Sequence, residues 1–322
     1  MRVLVTGGAG YIGSHLVDRL LAKGDQVVVV DNLSLGKLGN IEHNLENPHF
    51  RFVKGDVLDE RLIEELIEEC ELVCHLAAVV GVKHVLADPL QAMMTNVWGT
   101  RKVLQSASNH GRKVVLASSS EVYGKSTKSP LAEDDDRFLG STYISRWAYS
   151  TTKALDEYLA LAYHRQRGLP VVIIRYFNSY GPRLDPRGYG SVVAKFINQA
   201  LDGEPITVHG DGQQTRCFTY IDDTVEGTVL AATVEAANGE ILNIARAEET
   251  KIAKLAEMIK GMIGSSSDIT LVPYEKEYGE DFEDSRRRVP AVGKAERILG
   301  FRAEVPLAEG LEQTIRWFRR GR

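Results

Sequence analysis

The stretch Gly7-Gly8-Ala9-Gly10-Tyr11-Ile12-Gly13 constrains this chain more than any other. It follows the short apolar run Arg2-Val3-Leu4-Val5-Thr6, which reads as a buried strand. It precedes Ser14 to Leu21, whose apolar positions recur at helical spacing. A strand, a glycine-rich turn and a helix in that order form a phosphate cradle. Glycine permits the sharp turn and lets the backbone approach a pyrophosphate, whose charge then rests on the helix N-terminus. The spacing satisfies G-x-G-x-x-G through Gly8, Gly10 and Gly13, and G-x-x-G-x-x-G through Gly7, Gly10 and Gly13. A glycine triplet by itself also occurs in ordinary tight turns. Here a second feature joins it: Gln26-Val27-Val28-Val29-Val30 reads as another buried strand and ends in Asp31, eighteen residues past Gly13. A carboxylate there accepts hydrogen bonds from an adenosine ribose and repels a 2′-phosphate, and no arginine directly follows it. The expected cofactor is NAD rather than NADP.

Strand and helix patterns alternate through the first two thirds of the chain, as in a parallel sheet covered on both faces. Strands are predicted over 49–55, 72–76, 113–117 and 171–175, with helices over 60–69, around 96–104 and over 146–167. Asp31, Asp56, Ala77, Ser119 and Asn178 fall at or just past strand C-terminal ends. In open sheets these ends border the ligand crevice, so the five should converge on one cleft. Beyond Asn178 the texture changes: Gly181-Pro182, Asp185-Pro186, Gly188 and Gly190 break the alternation, and helices recur at 191–202, 222–237, 250–264 and 307–320. The expected fold is α/β: a doubly wound, Rossmann-type parallel sheet over 1–177 and a smaller α/β substrate-binding lobe over 178–322. Some segments of that lobe should return to the first domain.

With 322 residues the chain can bury a large core, and a net charge of −5 gives no reason to expect nucleic acid. No apolar run reaches membrane-spanning length, and the chain opens directly on a strand with no signal segment, so a cytoplasmic location is expected. The three cysteines, Cys70, Cys74 and Cys217, cannot make a disulfide framework, and no histidine–cysteine set completes a metal site. They read as core residues of a reducing compartment. Glu133-Asp134-Asp135-Asp136 reads as a solvated acidic loop.

Tyr149 and Lys153 stand four apart, which on a helix puts them on one face. Of the twelve tyrosines only this one has a lysine four residues on. Such a pair also arises on any exposed helix; its place after the fifth strand, with the serine cluster Ser118-Ser119-Ser120 ahead of it, points to chemistry. A phenol with an ordinary pKa near ~10 is a poor base at neutral pH. A nearby ammonium and a positive nicotinamide would lower that value. Ser119 can donate to a substrate oxygen while Tyr149 exchanges its proton, and Lys153 can also hold the nicotinamide ribose. Ser, Tyr and Lys beside NAD specify reversible oxidation of a secondary alcohol.

At this point the chain is identified by its motifs as resembling the extended short-chain dehydrogenase/reductases that act on nucleotide sugars, over essentially its whole length. The motifs are GGAGYIG at 7–13, HLAA at 75–78, SSSEVYG at 118–124, YSTTK at 149–153 and RYFNSYGPR at 175–183. The resemblance implies NAD contacts from Gly7, Gly10, Tyr11, Ile12, Gly13, Asp31, Asn32, Asp56 and Val57. It implies further contacts from Leu76, Ala77, Ala78, Tyr149 and Lys153. It also implies that residues 203–218 wrap a nucleotide diphosphate, with Asn178 and Arg216 on the phosphates and the segment around His209 by the base. A lone Arg216 would otherwise read equally as a surface arginine. Helices near 92–108 and 149–166 resemble those that pair in family homodimers.

Members of this family share one opening move, in which sugar C4 loses hydride to NAD and becomes a ketone. The 4,6-dehydratases carry Thr-Asp-Glu where this chain has Ser119-Ser120-Glu121, so their acid is missing. UDP-glucuronate decarboxylases carry Thr-Ser-Glu or similar and an R-x-P segment, which Arg288-Val289-Pro290 matches; Arg146-Trp147 and Arg216-Cys217-Phe218 resemble the enzyme of lipid A modification. A C4 ketone turns a C5 carboxylate into a β-keto acid, whose CO₂ can leave because an enolate remains. Glu121 is expected to orient water or shuttle protons, and Arg288 to lie near the substrate carboxylate. Both residues also read as structural partners, Arg286-Arg287-Arg288 as a solvated basic turn. Residues 79–84 look more like archaeal-type 4-epimerases. The expected activity is decarboxylation of UDP-glucuronate, with UDP-sugar 4-epimerisation as the alternative and a 4,6-dehydratase or a silent NAD-binding protein behind them.

Overall fold

The computed structural model describes residues 1–185, 191–278 and 283–320; Pro186, Gly188 and Gly190, read above as breaks, lie outside them. The alternating N-terminal pattern becomes β1 (Arg2–Thr6), α1 (Tyr11–Ala22), β2 (Gln26–Asp31), β3 (Phe50–Lys54), α2 (Glu60–Glu68) and β4 (Leu72–His75). It continues as α3 (Val82–Ala87), α4 (Pro89–Asn109), β5 (Lys113–Ser119), α5 (Ala148–Arg167) and β6 (Val171–Tyr176). Beyond β6 lie β7 (Ser179–Tyr180), α6 (Val192–Asp202), β8 (Ile206–His209), β9 (Thr215–Cys217), β10 (Thr219–Tyr220) and α7 (Ile221–Thr233). Next come β11 (Ile241–Ile244), β12 (Glu249–Lys251), α8 (Ile252–Ile263), β13 (Ile269–Val272) and α9 (Tyr274–Tyr278). The described chain closes with β14 (Arg287–Arg288), α10 (Gly293–Leu299) and α11 (Leu307–Arg320).

Seven strands form one parallel sheet in the order β11-β6-β5-β4-β1-β2-β3. Val3, Leu4 and Val5 of β1 are all buried, as are Val27 to Val30 of β2, because helices cover both faces. This is why the strands read as continuous apolar runs rather than alternating ones. The strand order reverses beside β1, so the C-terminal ends of β1 and β4 diverge into a crevice. The seventh strand, β11, comes from beyond residue 178 and pairs with β6 through Ile241–Ile173 and Ile244–Tyr176. The chain thus crosses back into the central sheet after its first excursion.

Three helix limits differ from the sequence expectation, each for a local reason. A 3-10 turn at Ser145–Trp147 precedes α5. Val234 turns extended at φ −79° and ψ 117°, ending α7 before a 3-10 turn at Glu235–Ala237. Glu249–Lys251 pairs antiparallel with β9 as β12, which delays the start of α8 to Ile252. Cys70 follows α2, Cys74 stands in β4 and Cys217 ends β9; all three are buried free thiols. No helix among the described residues is long and apolar enough to cross a membrane.

Candidate active site

The glycine turn is built as the sequence requires. Gly7 has φ +71°, and its N–H donates to the Val30 carbonyl at 2.9 Å, tying the turn to β2. A Cβ on Gly13 would sit 2.2 Å from the Gly7 carbonyl oxygen, and one on Gly7 would sit 2.8 Å from the Ala77 nitrogen. Any side chain at either position would force the first turn of α1 away from the strand ends. Gly10, at the N-cap of α1, brings no side chain to cap the helix, so the free amides face the crevice. The Asp31 carboxylate accepts from Ala9 N–H at 3.0 Å and from Leu33 N–H at 2.8 Å. Burial pushes its pKa up, and these two amides restrain the shift.

A cleft of about 460 Å³ opens at the strand ends. Gly7, Gly10, Tyr11, Ile12 and Gly13 line one part of it, together with Asp31, Asn32 and Val57. Leu76, Ala77 and Ala78 line it from the end of β4, and Ser119, Glu121, Tyr149, Lys153, Asn178 and Arg288 face it from the other side. Asp56 does not line it, contrary to expectation. Its carboxylate is drawn into a local turn, accepting from Leu58 N–H at 2.9 Å and from the Asn32 side-chain amide at 2.8 Å. Arg216 and His209 also stand outside the cleft wall. Arg216 Nη2 donates to both oxygens of Asp284, at 2.9 and 2.8 Å. His209 Nε2 lies 2.9 Å from Lys195 Nζ, and its ring meets Tyr274 edge-on. Arg216 remains close by register, because β14 pairs with β9 so that Arg288 lies directly beside it. Asn178, at φ +38°, donates from its side-chain amide to the Cys217 carbonyl at 2.9 Å.

The spacing argument for Tyr149 and Lys153 is realised on α5, where both side chains reach the cleft. The protein's own groups shift the phenol upward, so the downward shift expected beside a positive nicotinamide has to come from that charge. Burial pushes the Tyr149 phenol up and the Glu121 charge adds to this, while a hydrogen bond with the Ser119 hydroxyl pulls it down. The protein's own groups therefore keep Tyr149 neutral. The Lys153 ammonium donates to the Ala117 carbonyl at 3.0 Å. Ser119 caps the following 3-10 turn, accepting from Glu121 N–H at 3.2 Å.

Sequence reasoning did not place Arg146 in the site; it enters through Glu121. Glu121 Oε1 lies 2.6 Å from Arg288 Nη1, and its Oε2 lies 2.7 Å from Arg146 Nη2. Burial alone would raise the Glu121 carboxyl, but the two guanidinium groups outweigh it and hold it well below the usual carboxylate range. Asp284 Oδ1 also lies 3.9 Å from Arg146 Nη2 and pairs with Arg216, so three guanidinium groups meet two carboxylates and this corner is net positive. Arg288 is 2% exposed, and its buried Nε and Nη2 have no hydrogen-bond partner among the described residues. The signals that pointed to it were its position just ahead of α5 and the resemblance of Arg146-Trp147 to the enzyme of lipid A modification.

A glycine cradle facing the half-buried Ser119 and Tyr149 and the buried Lys153 defines the extended short-chain dehydrogenase/reductase class. Within that class the chain belongs to the GDP-mannose 4,6 dehydratase family, whose family model matches residues 4–314. It is similar to a UDP-N-acetyl-alpha-D-glucosaminuronate decarboxylase from Bacillus cytotoxicus, 45% identical over 318 residues that cover 99% of this chain and 98% of that protein. UDP-glucuronic acid decarboxylase 1 from Xenopus tropicalis is 37% identical over 321 residues, 99% of this chain and 72% of that protein. Among solved structures, UDP-glucuronic acid 4-epimerase from Bacillus cereus, in complex with UDP-glucuronic acid and NAD, matches with a TM-score of 0.90. It is 31% identical, with 100% of both chains covered.

Proposed function

We propose that this protein decarboxylates a UDP-linked hexuronate through transient NAD-dependent oxidation at sugar C4. The observation that carries this reading is the Arg146–Glu121–Arg288 cluster, which brings two guanidinium groups to the wall of the cleft that also holds Tyr149. Guanidinium groups on a cleft wall favour a carboxylate-bearing sugar over a neutral one through charge-assisted hydrogen bonds. The decarboxylase relatives support the same choice: the one at 45% identity is named for UDP-N-acetylglucosaminuronate and those at 37% for UDP-glucuronate.

The glycine turn, the uncapped N-terminus of α1 and Asp31 fit a dinucleotide's pyrophosphate and adenosine ribose. NAD, when bound, supplies a hydride acceptor and returns the hydride later in the cycle. Tyr149 takes the C4 hydroxyl proton, and Ser119 donates to the same oxygen. Lys153 binds the nicotinamide ribose and lowers the cost of a phenolate. With C4 a ketone, the C5 carboxylate is the carboxylate of a β-keto acid; its C–C bond electrons pass into an enolate as CO₂ departs, and a proton from water then replaces CO₂ at C5 while Tyr149 returns its own proton to the C4 oxygen. Arg288 and Arg146 orient that carboxylate beforehand. Glu121, held ionised, positions the two arginines and a water rather than donating a proton. Ser120 stands where dehydratases of the class have their acid, which disfavours loss of a C6 hydroxyl. Arg216 and Asn178 hold the diphosphate, and the His209 segment lies by the uracil.

Two further readings belong here. Leu90, Met94 and Trp98 form an exposed apolar stripe on α4, and Leu155 and Tyr158 extend it on α5. This stripe supports a homodimer formed through these two helices. The three buried free thiols are consistent with a cytoplasmic location.

The experiment is a comparison of uronate and neutral-sugar affinities in Arg288→Lys, which keeps the charge but loses the planar donor edge. Affinity for UDP-glucuronate should fall by roughly tenfold or more while that for UDP-glucose stays nearly unchanged. An equal loss for both would remove Arg288 from carboxylate recognition.

A further inference from the structure

Lys153 has a second neighbour that the reaction scheme leaves unused. Lys153 is 3% exposed, and the Ala117 carbonyl that accepts from its ammonium supplies no counter-charge. Asp156 does: its Oδ2 lies 3.5 Å from Lys153 Nζ, one turn along α5, and the residue is 0% exposed. Glu157, the next residue, is already engaged. Its oxygens accept from Arg175 Nε at 2.9 Å and Nη2 at 2.7 Å, and from the Ser118 hydroxyl at 2.5 Å. Adjacent acids on one helix thus serve separate bases, Glu157 for Arg175 and Asp156 for Lys153. A charge buried alone is strongly disfavoured, so an ammonium in this place depends on its one carboxylate.

We propose that Asp156 is a positioning residue for Lys153, supplying the counter-charge of its ammonium and fixing where that ammonium points. The proposal rests on reading Lys153 as a member of the reacting set. It acts entirely through Lys153: Asp156 lines no part of the cleft.

The surroundings give this pair a pH signature. Lys153, Glu157 and Tyr149, all on α5, are the charged or titratable groups whose fields couple to Asp156. From α4 the Thr100 hydroxyl faces it, and Thr100 Oγ1 lies 3.1 Å from Nε2 of His75 on β4. Burial pushes His75 down to about 3, so this ring stays neutral and adds no charge. Asp156 Oδ1 is buried with no hydrogen-bond partner among the described residues. Burial pushes the Asp156 carboxyl up to about 6, against the pull of Lys153 and Thr100. Below that pH Asp156 takes up a proton and Lys153 loses its counter-charge.

The test is the pH dependence of kcat for the wild type and Asp156→Asn, with NAD content measured on each and Asp156→Glu as the conservative variant. The wild type should show an acid limb near pH 6. Asp156→Asn should retain the fold, lose that limb and run roughly 10- to 100-fold slower at neutral pH, and Asp156→Glu should recover part of the loss. An unchanged limb, or a loss equal at every pH with glutamate no better than asparagine, overturns the proposal. If Asp156→Asn does not fold, Thr100→Val decides. Without that hydroxyl the carboxyl holds its proton more tightly, so the acid limb should move to higher pH, and an unmoved limb overturns the proposal. Lys153→Met separates the two layers: if it is fully active, the reading of Lys153 itself fails. If it is inactive while Asp156→Asn matches the wild type, only the role of Asp156 fails.

Discussion

Arg288 Nη1 lies 2.6 Å from Glu121 Oε1, joining the turn after β5 to a two-residue strand 167 positions further along the chain. With Arg146 on its other oxygen, Glu121 is fixed as a carboxylate and cannot serve as a proton donor at neutral pH. In the proposed mechanism its work is electrostatic: it keeps two arginines aligned to receive the sugar carboxylate.

Glu121→Gln leaves Arg146 and Arg288 buried without their shared counter-charge. Breaking a buried pair from one side costs about 3 kcal/mol, which urea denaturation at pH 7 would measure. The sign with pH follows from the depressed carboxyl. Its contribution is fully present above the unfolded carboxylate value of about 4 and is lost as pH falls through the lower folded value. The gap between wild type and variant should therefore be constant from about pH 6 to 8 and narrow only in strong acid. Equal stabilities at pH 7 would show that the ion pair contributes nothing to the fold.

Tyr149→Phe should retain fold and NAD while turnover falls by roughly 10²–10⁴, the usual scale of a general acid–base group. Burial and Glu121 push this phenol up, so in the proposed mechanism it acts as a base once a positive charge is bound beside it. Near-normal turnover in the phenylalanine variant would exclude Tyr149 from the reaction.

Lys153→Met should lose both turnover and retained NAD, because one side chain is assigned to the phenol and to the ribose. A variant that keeps its full complement of NAD would limit Lys153 to the first of these.

Arg216→Met should raise KM for the nucleotide sugar by roughly tenfold or more with NAD content unchanged, since a charge-assisted phosphate contact is lost. The Asp284 carboxylate now holds this guanidinium through both oxygens. An unaltered KM would make Arg216 a purely structural partner of Asp284.

What could be read from the sequence was what depends on local spacing. The glycine turn, the Asp31 strand end and the Tyr149–Lys153 step are each set within a few residues, and each lies where its spacing puts it. Contacts made by folding were not legible. Nothing in the neighbourhood of Glu121 announces Arg288, and a basic run at 286–288 looks solvated until β14 pairs with β9 and buries its last residue. Asp56 sits at a strand end like Asp31, yet its carboxylate is taken up by Leu58 N–H and the Asn32 side-chain amide. Asp156 and Glu157 are indistinguishable as letters; only the sheet beneath α5 assigns one to Lys153 and the other to Arg175. The re-entry of β11 into the central sheet has the same origin, because its short apolar run carries no mark of its partner.

The most direct measurement is the mass and C4 configuration of the product formed from UDP-glucuronate and, in parallel, from UDP-N-acetylglucosaminuronate. Both candidate reactions begin with the same hydride transfer, so loss of hydride from C4 does not separate them. Decarboxylation must release CO₂ and leave a pentose nucleotide, and in the proposed mechanism the Arg146–Glu121–Arg288 cluster holds the group that departs. A product lighter by one CO₂ from at least one of the two uronates is the expected result. A product of unchanged mass with inverted C4 would contradict it and make the protein a 4-epimerase whose arginines only hold the carboxylate.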